Sequence, residues 1–450
     1  MVSSIIFTVL LLATAAVFIL RIRQIKSNIN LGRDIDLSDR SGERWSTMAR
    51  VALGQSKMVA RPLAGIMHIF IYVGFILINL EVLEIMIDGI FGSHRVFYSL
   101  LGSGAYHMFI GFFEFLAVLV LLACVVFLIR RNVGKIKRFS GTEMTSWPKS
   151  DANIILIVES LLMLAVLTMN AADSIVFALP DEQVMAAGLA HYTGINFDGW
   201  FWFSGYLTGL LPSDANTLFY IERACWWFHI VGIFGFLIYI PYSKHFHIFL
   251  AFPNTYYSKL EPAGEFDNLE AVKKEVELMM DPNLDPFAAP APDADAAPQR
   301  FGAKDVTDLT WKSLMGAYSC TECGRCTSEC PANQTGKLLS PRKIMMDTRD
   351  RAEELGAYNR KNGAEAEDGK SLLGDYISKE ELWACTTCNA CTQACPVNIN
   401  PLEIIIDLRR YLVMEESAAP SELNGMFTNI ENNGAPWQFA QADRLNWKEE

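Results

Sequence analysis

Five long runs of apolar residues lie in the first 250 positions of the chain, and polar loops separate them. A membrane-spanning helix needs roughly 20 predominantly apolar residues, and each run is near or above that length. We therefore predict that residues 1–250 form an all-α membrane domain with five transmembrane helices. The runs lie at about 3–20, 63–88, 105–129, 153–178 and 217–242.

The first run ends directly in the basic sequence RIRQIK. It is long for a secretory signal, and no clear small-residue cleavage site follows it. We therefore interpret it as an uncleaved first helix.

The basic residues of the loops predict how the helices are oriented. Residues 21–61 carry nine Lys and Arg, and residues 130–149 carry six. In contrast, residues 89–104 carry only Arg95, and residues 179–216 carry neither Lys nor Arg. Since short cytoplasmic loops are enriched in Lys and Arg, we expect the N-terminus outside and the chain after the fifth helix in the cytoplasm.

The chain after residue 250 is mostly polar, and its composition divides it further. Residues 251–305 contain one short helical candidate, LEAVKKEVELMM, followed by an Ala-, Pro- and Asp-rich stretch that is typical of a linker. Residues 306–415 form a predicted cofactor domain, and residues 416–450 a C-terminal tail.

A twelve-residue motif occurs twice in the cofactor domain, as CTECGRCTSECP at 320–331 and CTTCNACTQACP at 385–396. Its CxxCxxCxxxCP spacing is that of bacterial-type [4Fe-4S] ferredoxins, in which the fourth cysteine of each run binds the other cluster. We predict cluster 1 on Cys320, Cys323, Cys326 and Cys395, and cluster 2 on Cys385, Cys388, Cys391 and Cys330. Zinc is the alternative, but a third cysteine so close to a CxxC pair fits a tetrahedral zinc site poorly.

Each cysteine run is followed by a segment with helical periodicity. Ser340 and Pro341 mark the start of the first segment, and Asn400 and Pro401 mark the start of the second. The predicted fold class is therefore a five-helix membrane domain followed by a mainly α-helical dicluster ferredoxin-like domain.

Charge and cysteine usage narrow the functional classes. The formal net charge is -12, and no basic face stands out in the polar half, which argues against nucleic-acid binding. Eight of the ten cysteines lie in the two motifs. A secreted disulfide framework would spread its cysteines, so we expect a reducing compartment.

Histidines in the apolar runs are candidate ligands for a haem iron. His229 and His247 are 18 residues apart, which in one continuous helix is five turns, or about 27 Å along the same face. His68 lies early in the second helix, so His68 and His247 both fall near the cytoplasmic surface and could clamp one haem. The alternative is that these histidines are hydrogen-bonded, with His245 and His247 snorkelling beside Lys244.

The membrane half resembles the cytochrome b subunit of respiratory nitrate reductase and the similar membrane subunit of heterodisulfide reductase. The resemblance covers roughly residues 1–250 and rests on the early histidine of helix two, the H-x17-H spacing and the ending PYSKHFH. It implies an inner haem b on His68 and His247.

The same resemblance implies an outer haem, for which the chain departs from the family pattern. A second helix-two histidine is expected ten residues after His68, where this chain has Ile78. His229 then lacks its usual partner, and His107 is the best substitute, although it lies roughly one to two turns nearer the outside.

Several acidic residues also fall in or near the apolar runs. They could form a proton or quinone-associated path, or they could be structural partners near helix ends. They are Glu81, Glu84, Glu114, Glu159 and Asp173.

The cofactor domain, over roughly residues 306–415, resembles the iron-sulfur subunit of heterodisulfide reductase. The sequence has no dinucleotide fingerprint, no P-loop and no Cys-Cys-Gly motif, so we expect the catalytic site to lie on another chain. The resemblance implies an electron-transfer subunit in a bacterial or archaeal cytoplasmic membrane. It would link quinone to a cytoplasmic iron-sulfur or flavoprotein partner.

Two rival hypotheses remain open at this point. A membrane-anchored ferredoxin would use the helices only as a tether and would bind no haem. An assembly subunit would bind zinc at its cysteines.

Overall fold

The computed structural model of the chain describes residues 2–134, 136–193, 201–281, 300–363, 367–438 and 441–449. Over these residues the structure is helical, with no β-strand and two isolated bridges between single residue pairs. The membrane half contains α1 (Val2–Ile29), α2 (Ser41–Met48), α3 (Pro62–Phe91), α4 (Val96–Leu101), α5 (Ser103–Asn132), α6 (Trp147–Ala178), α7 (Asp181–Ala186) and α8 (Ala215–Tyr239).

The remaining helices belong to the polar half and to the segment that leads into it. They are α9 (His247–Tyr256), α10 (Glu270–Met280), α11 (Trp311–Ser319), α12 (Arg325–Glu329), α13 (Pro331–Gln334), α14 (Pro341–Asn362), α15 (Lys379–Trp383), α16 (Ala390–Ala394), α17 (Pro401–Met414) and α18 (Ser421–Asn433).

Five of the helices are long and apolar enough to cross a membrane, as predicted: α1, α3, α5, α6 and α8. They pack as a closed ring of neighbours in the order α1, α3, α5, α6, α8 and back to α1. Glycines allow the closest approaches. A Cβ atom on Gly74 of α3 would lie 2.4 Å from Val120 of α5, so only glycine lets these two helices approach to this distance.

The fifth spanning segment does not continue as one helix to His247, which corrects the expectation that His229 and His247 lie on one continuous helix. Helix α8 ends at Tyr239, two short 3-10 turns follow, and α9 begins at His247. Pro241 lies in the first of these turns, where its missing N–H and fixed backbone angle favour a break in the helix. His247 therefore begins a separate helix.

The half of the bundle that carries the predicted outside loops, which we call the outer half, contains a buried polar network centred on Arg95. Its guanidinium donates hydrogen bonds to Asp173 at 2.8 Å and to Asn170 at 2.8 Å. The hydroxyl of Tyr106 donates to Glu84 at 2.9 Å. Because buried charges are costly without partners, these contacts give Glu84 and Asp173 structural roles.

A short 3-10 helix, Ser204–Leu210, packs into the same half of the bundle. Glu114 accepts hydrogen bonds from the backbone N–H groups of Phe203 at 2.8 Å and Ser204 at 3.2 Å. Ser204 is fully buried. Glu114 therefore also has a structural role, since it fixes the start of this inserted helix.

The helices that follow the cysteine runs begin as predicted. Ser340 accepts a hydrogen bond from the N–H of Lys343 before α14, and Asn400 accepts one from Leu402 before α17. Such side chains satisfy N–H groups that have no partner within the helix. The candidate LEAVKKEVELMM forms α10, whereas the Ala-, Pro- and Asp-rich residues 282–299 lie outside the described residues.

The two halves share one apolar core and pack directly on each other. Ile25 of α1 and Phe246 lie in the same buried cluster as Leu314 of α11 and Ile344 of α14. Polar contacts cross the same boundary. The buried side chain of Asn28, for example, donates to the hydroxyl of Tyr318 at 2.9 Å. The cofactor domain is therefore seated on the end of the bundle that carries the basic loops, which we call the inner end.

Arg342 at the start of α14 forms a second contact between the halves. Its guanidinium is buried, lies 2.6 Å from the carboxylate of Glu143 and donates to the backbone carbonyl of Arg138 at 2.5 Å. Both partners belong to the loop between α5 and α6. This loop is therefore held against the helix that follows the first cysteine run.

Candidate iron-sulfur and haem sites

The two cysteine runs fold into loops with the same local geometry. Glu322 and Thr387 occupy equivalent positions and both have a left-handed backbone, with φ of 53° and 56°. Their N–H groups point to the sulfur atoms of Cys320 and Cys385, each at 3.4 Å. Hydrogen bonds from the backbone to sulfur are one of the factors that set the potential of an iron-sulfur cluster.

A second left-handed position in each loop follows the second cysteine, at Gly324 and Asn389. At Gly324 the glycine is also required by space, because a Cβ atom there would lie 2.5 Å from the guanidinium of Arg342. These turns wrap three cysteines of each run around one side of a common centre.

The structure places the thiols of the first predicted set around one cavity. Its lining includes Cys320, Cys323 and Cys326 of the first loop and Cys395 of the second loop. Burial, together with the nearby thiol of Cys323, raises the pKa of Cys395 to about 11. A metal centre would supply the positive charge that holds such buried sulfurs as thiolates.

The fourth cysteine of the first run lies with the second set. Burial raises the pKa of Cys391 to about 11, and the neighbouring thiols of Cys385 and Cys330 add to this effect. Cys388 of the same set is exposed. The structure therefore brings Cys395 to the first set and Cys330 to the second, and the assignment of the eight ligands to two clusters stays a prediction.

The cysteine side chains fit iron-sulfur clusters in number and in kind. The four thiols of the first predicted set line one cavity, and Cys330 and Cys385 are neighbours of Cys391 in the second set. A [4Fe-4S] cube takes four cysteine ligands, so the eight cysteines would hold two clusters.

Glu322 joins the first loop to the membrane half. Its carboxylate is buried and forms ion pairs with Lys244 and, at 2.8 Å, with Arg349. Burial opposes ionisation of Glu322, but these two cations outweigh it and hold its pKa below the usual value. Lys244 is the lysine of the PYSK sequence, so this motif links the end of the fifth spanning segment to the first cysteine loop.

His68 and His247 face each other at the inner end of the bundle, with ring centres 6.4 Å apart. Since metal–imidazole bonds are about 2 Å long, two rings at this separation could each offer a nitrogen to one iron between them. The ring of His247 also donates its Nδ1 hydrogen to the carbonyl of Lys244, at 3.0 Å. Such a bond leaves Nε2 as the ligating atom.

The two histidines line one cavity of about 370 Å³. At its inner end, Arg131 Nη2 and Arg138 Nε are buried without a hydrogen-bond partner among the described residues. Both guanidinium groups also lie over the ring of Phe139. Their remaining N–H donors would suit the two propionates of a haem. His68 Nδ1 is likewise buried with no partner in the described part of the chain.

The same cavity reaches the first cysteine loop. Part of its wall is formed by Thr321, Cys323, Pro396 and Val397. The second loop contributes only residues beyond its last cysteine. The first cysteine set therefore faces the histidine pair, and the second set lies farther from it.

The predicted outer haem ligands occupy different depths. His107 follows the start of α5 by four residues, near the outer surface, whereas His229 lies in the middle of α8. The ring of His229 forms a hydrogen bond through Nδ1 with the carbonyl of Leu162 at 3.2 Å, which would leave its Nε2 to ligate. The pairing of His107 with His229 stays a prediction.

His245 is the residue whose environment the sequence did not indicate. Its neighbour Lys244 suggested a side chain that reaches the membrane surface, but the ring is buried and packs against Phe236 and Phe75. Its Nε2 lies 3.6 Å from a carboxylate oxygen of Glu159. Only the 3-10 turn Lys244–Phe246 directs the ring inward, and a pattern of apolar positions does not predict such a turn.

The dicluster assignment agrees with a family comparison. Residues 319–399 match the 4Fe-4S dicluster domain. The chain therefore carries a domain of this type in its polar half, where the two cysteine loops lie.

Relatives that extend over the membrane half are oxidoreductases. The chain is 29% identical to a probable iron-sulfur-binding oxidoreductase, FadF, of Bacillus subtilis, over 100% of this chain and 61% of the relative. It is 28% identical to the EtfAB:quinone oxidoreductase of Syntrophomonas wolfei, over 93% of this chain and 55% of the relative. The chain thus spans about three fifths of the length of these relatives.

A third relative matches about a third of this chain. It is a component of the dihydromethanophenazine:CoB–CoM heterodisulfide reductase of Methanosarcina acetivorans, 32% identical over 32% of this chain and 35% of the relative. The predicted likeness to heterodisulfide reductase is therefore confirmed for the iron-sulfur part, and the likeness to nitrate reductase stays a prediction. No solved structure matches the chain.

Proposed function

We propose that the chain is the membrane-bound electron-transfer subunit of a quinone-linked oxidoreductase. Its partner is a cytoplasmic iron-sulfur or flavoprotein subunit that carries the catalytic site. The names of the two long relatives support this proposal, because one is named a probable iron-sulfur-binding oxidoreductase and the other an EtfAB:quinone oxidoreductase.

One observation carries the proposal: a single cavity joins the first cysteine set to the pair His68 and His247. A tether for a ferredoxin has no need of such a cavity or of two facing histidines. When bound, two [4Fe-4S] clusters and a haem b supply a row of one-electron carriers. In this arrangement the exposed second loop meets the partner, and the first loop meets the membrane half.

The residues around the cavity give each centre its environment. Lys244 and Arg349 neutralise Glu322 beside the first loop. Arg131 and Arg138 offer positive charge at the inner end of the cavity. Since charge and hydrogen bonds near a centre set its potential, these side chains tune the transfer. The proposed orientation, with the iron-sulfur domain in the cytoplasm, follows the basic loops that contact this domain.

A reduced-minus-oxidised visible spectrum of the purified full-length chain, combined with iron and zinc analysis, tests the proposal. We expect the Soret and α bands of a b-type haem and about eight cluster irons per chain. A spectrum without these bands, with eight irons present, would support a membrane-anchored ferredoxin. Two zinc ions and little iron would instead support the assembly subunit.

A further inference from the structure

His245 and Glu159 form a polar pair at the deep end of the cavity that the haem ligands do not explain. The His245 ring is buried, and its Nε2 has no hydrogen-bond partner among the described residues. It lies 3.6 Å from Glu159 Oε1, which is too long for a good hydrogen bond. A buried nitrogen without a partner is costly, so its presence beside a cavity indicates a bound group.

The pair extends from the haem ligands toward the apolar part of the cavity. The ring centre of His245 lies 5.6 Å from that of His247 and 6.4 Å from that of Phe75. Phe75 follows His68 on α3 by about two turns, or roughly 10 Å. The cavity wall therefore includes an apolar region beyond His68, next to the His245–Glu159 pair.

The deep end has a wall that faces the lipid. Phe75 is 39% exposed and Ile76 is 46% exposed on the surface of the membrane half, and both also line the cavity. Tyr72 and Phe127 complete an apolar surround. A ligand that enters here comes from the bilayer and is mostly apolar, with few polar atoms.

We propose that His245 and Glu159 bind the headgroup of a quinone at the deep end of this cavity, an inference that rests on the proposed function. The His245 ring, with its hydrogen on Nε2, donates to a carbonyl oxygen of the oxidised quinone. Glu159 Oε1 accepts from a hydroxyl group of the reduced form. The other carboxylate oxygen of Glu159 already accepts from the thiol of Cys124 at 3.4 Å, which fixes its orientation.

A second pair in the outer half provides a matched comparison. His94 Nε2 is also buried without a hydrogen-bond partner in the described residues, and it lies 3.9 Å from Asp173 Oδ2. That oxygen, however, already accepts from Arg95 at 2.6 Å, and the other oxygen accepts from Tyr192 at 3.0 Å. The outer carboxylate is saturated by protein groups, so the inner pair is the better ligand site.

The test is a binding titration on the purified full-length chain with the fluorescent quinone analogue 2-n-heptyl-4-hydroxyquinoline N-oxide. We expect saturable binding to the unaltered chain. His245→Leu and Glu159→Leu should each weaken it about tenfold or more, the effect of losing one buried hydrogen bond. His94→Leu, the matched outer variant, should leave binding unchanged.

The outcomes separate this site from the proposed function. No binding by the unaltered chain would overturn the quinone link itself. If the unaltered chain binds the analogue and only His94→Leu weakens binding, the quinone site lies in the outer half. This result would overturn the site proposed here but not the proposed function. Because His245 lies two residues from a haem ligand, the visible spectrum of each variant is recorded as well. If His245→Leu loses its haem, the result for Glu159→Leu is used instead. A Glu159→Leu variant that keeps its haem and binds the quinone analogue with normal affinity would reject the site.

Discussion

The two cysteine loops have nearly the same local structure and opposite surroundings. Equivalent residues adopt left-handed turns, and equivalent N–H groups point to sulfur at the same distance. The first loop, however, is covered by the membrane half, with Glu322 only 4% exposed, whereas the second loop exposes Cys388. The spacing of cysteines therefore determines loop geometry, and tertiary contacts determine what each cluster faces.

Because of this difference, the two copies of the motif face different parts of the system. The first loop lines the same cavity as the histidine pair, and the second loop is accessible to a partner. Two loops with equal geometry can then hold clusters with different potentials, because burial and nearby charges differ. The following experiments test this asymmetry.

Removal of the fourth cysteine of either run has the largest expected effect. Cys330→Ala, although it lies in the first run, should remove the cluster of the second set, and Cys395→Ala should remove the cluster of the first set. Iron should fall from about eight to about four atoms per chain in each case. Loss of the first-set EPR signal in Cys330→Ala would show that each loop binds its own cluster.

Removal of the histidines tests what the first loop faces. His68→Ala or His247→Ala should abolish the inner haem, since one axial ligand does not replace two, while both cluster EPR signals remain. His191→Ala, in an exposed outer segment, serves as the control and should keep full haem. Full haem content in either inner variant would reject the pairing.

A reciprocal substitution between equivalent positions tests the charge that distinguishes the loops. Glu322→Thr gives the first loop the residue of the second, and it leaves Lys244 and Arg349 facing each other without the carboxylate. We expect a destabilisation of about 3 kcal/mol, measured as earlier thermal loss of first-cluster absorbance. Thr387→Glu, near the surface, should change stability by less than about 1 kcal/mol. Equal effects of the two substitutions would contradict the asymmetry.

The smallest expected effect concerns access to the clusters. An iron chelator added under air should bleach the second cluster several-fold faster than the first, because exposure controls attack on cysteine ligands. Separate EPR signals followed over time measure the two rates. Faster loss of the first cluster would show that the membrane half does not shield it.

Much of this architecture can be predicted from the sequence. The apolar runs indicate the spanning helices because a membrane imposes a minimum length. Ser340 and Asn400 indicate helix starts because their side chains bond to nearby N–H groups, a local interaction. Local rules of this kind need no knowledge of the rest of the fold.

The contacts between the halves could not be predicted in the same way. Lys244 and Glu322 are 78 residues apart in the chain, and nothing in either neighbourhood indicates the other. A Pro-rich segment between the halves suggested a tether, but buried contacts such as Asn28 with Tyr318 hold them together. The break in the helix before His247 also depends on a turn that the H-x17-H spacing conceals.

The position of Arg342 makes one side chain common to both halves of the molecule. Arg342 lines the cavity of the first cysteine set and also holds the loop that contains Glu143. Since charges near a cluster affect its potential, docking of the halves and the electrostatic environment of the first site become one linked property.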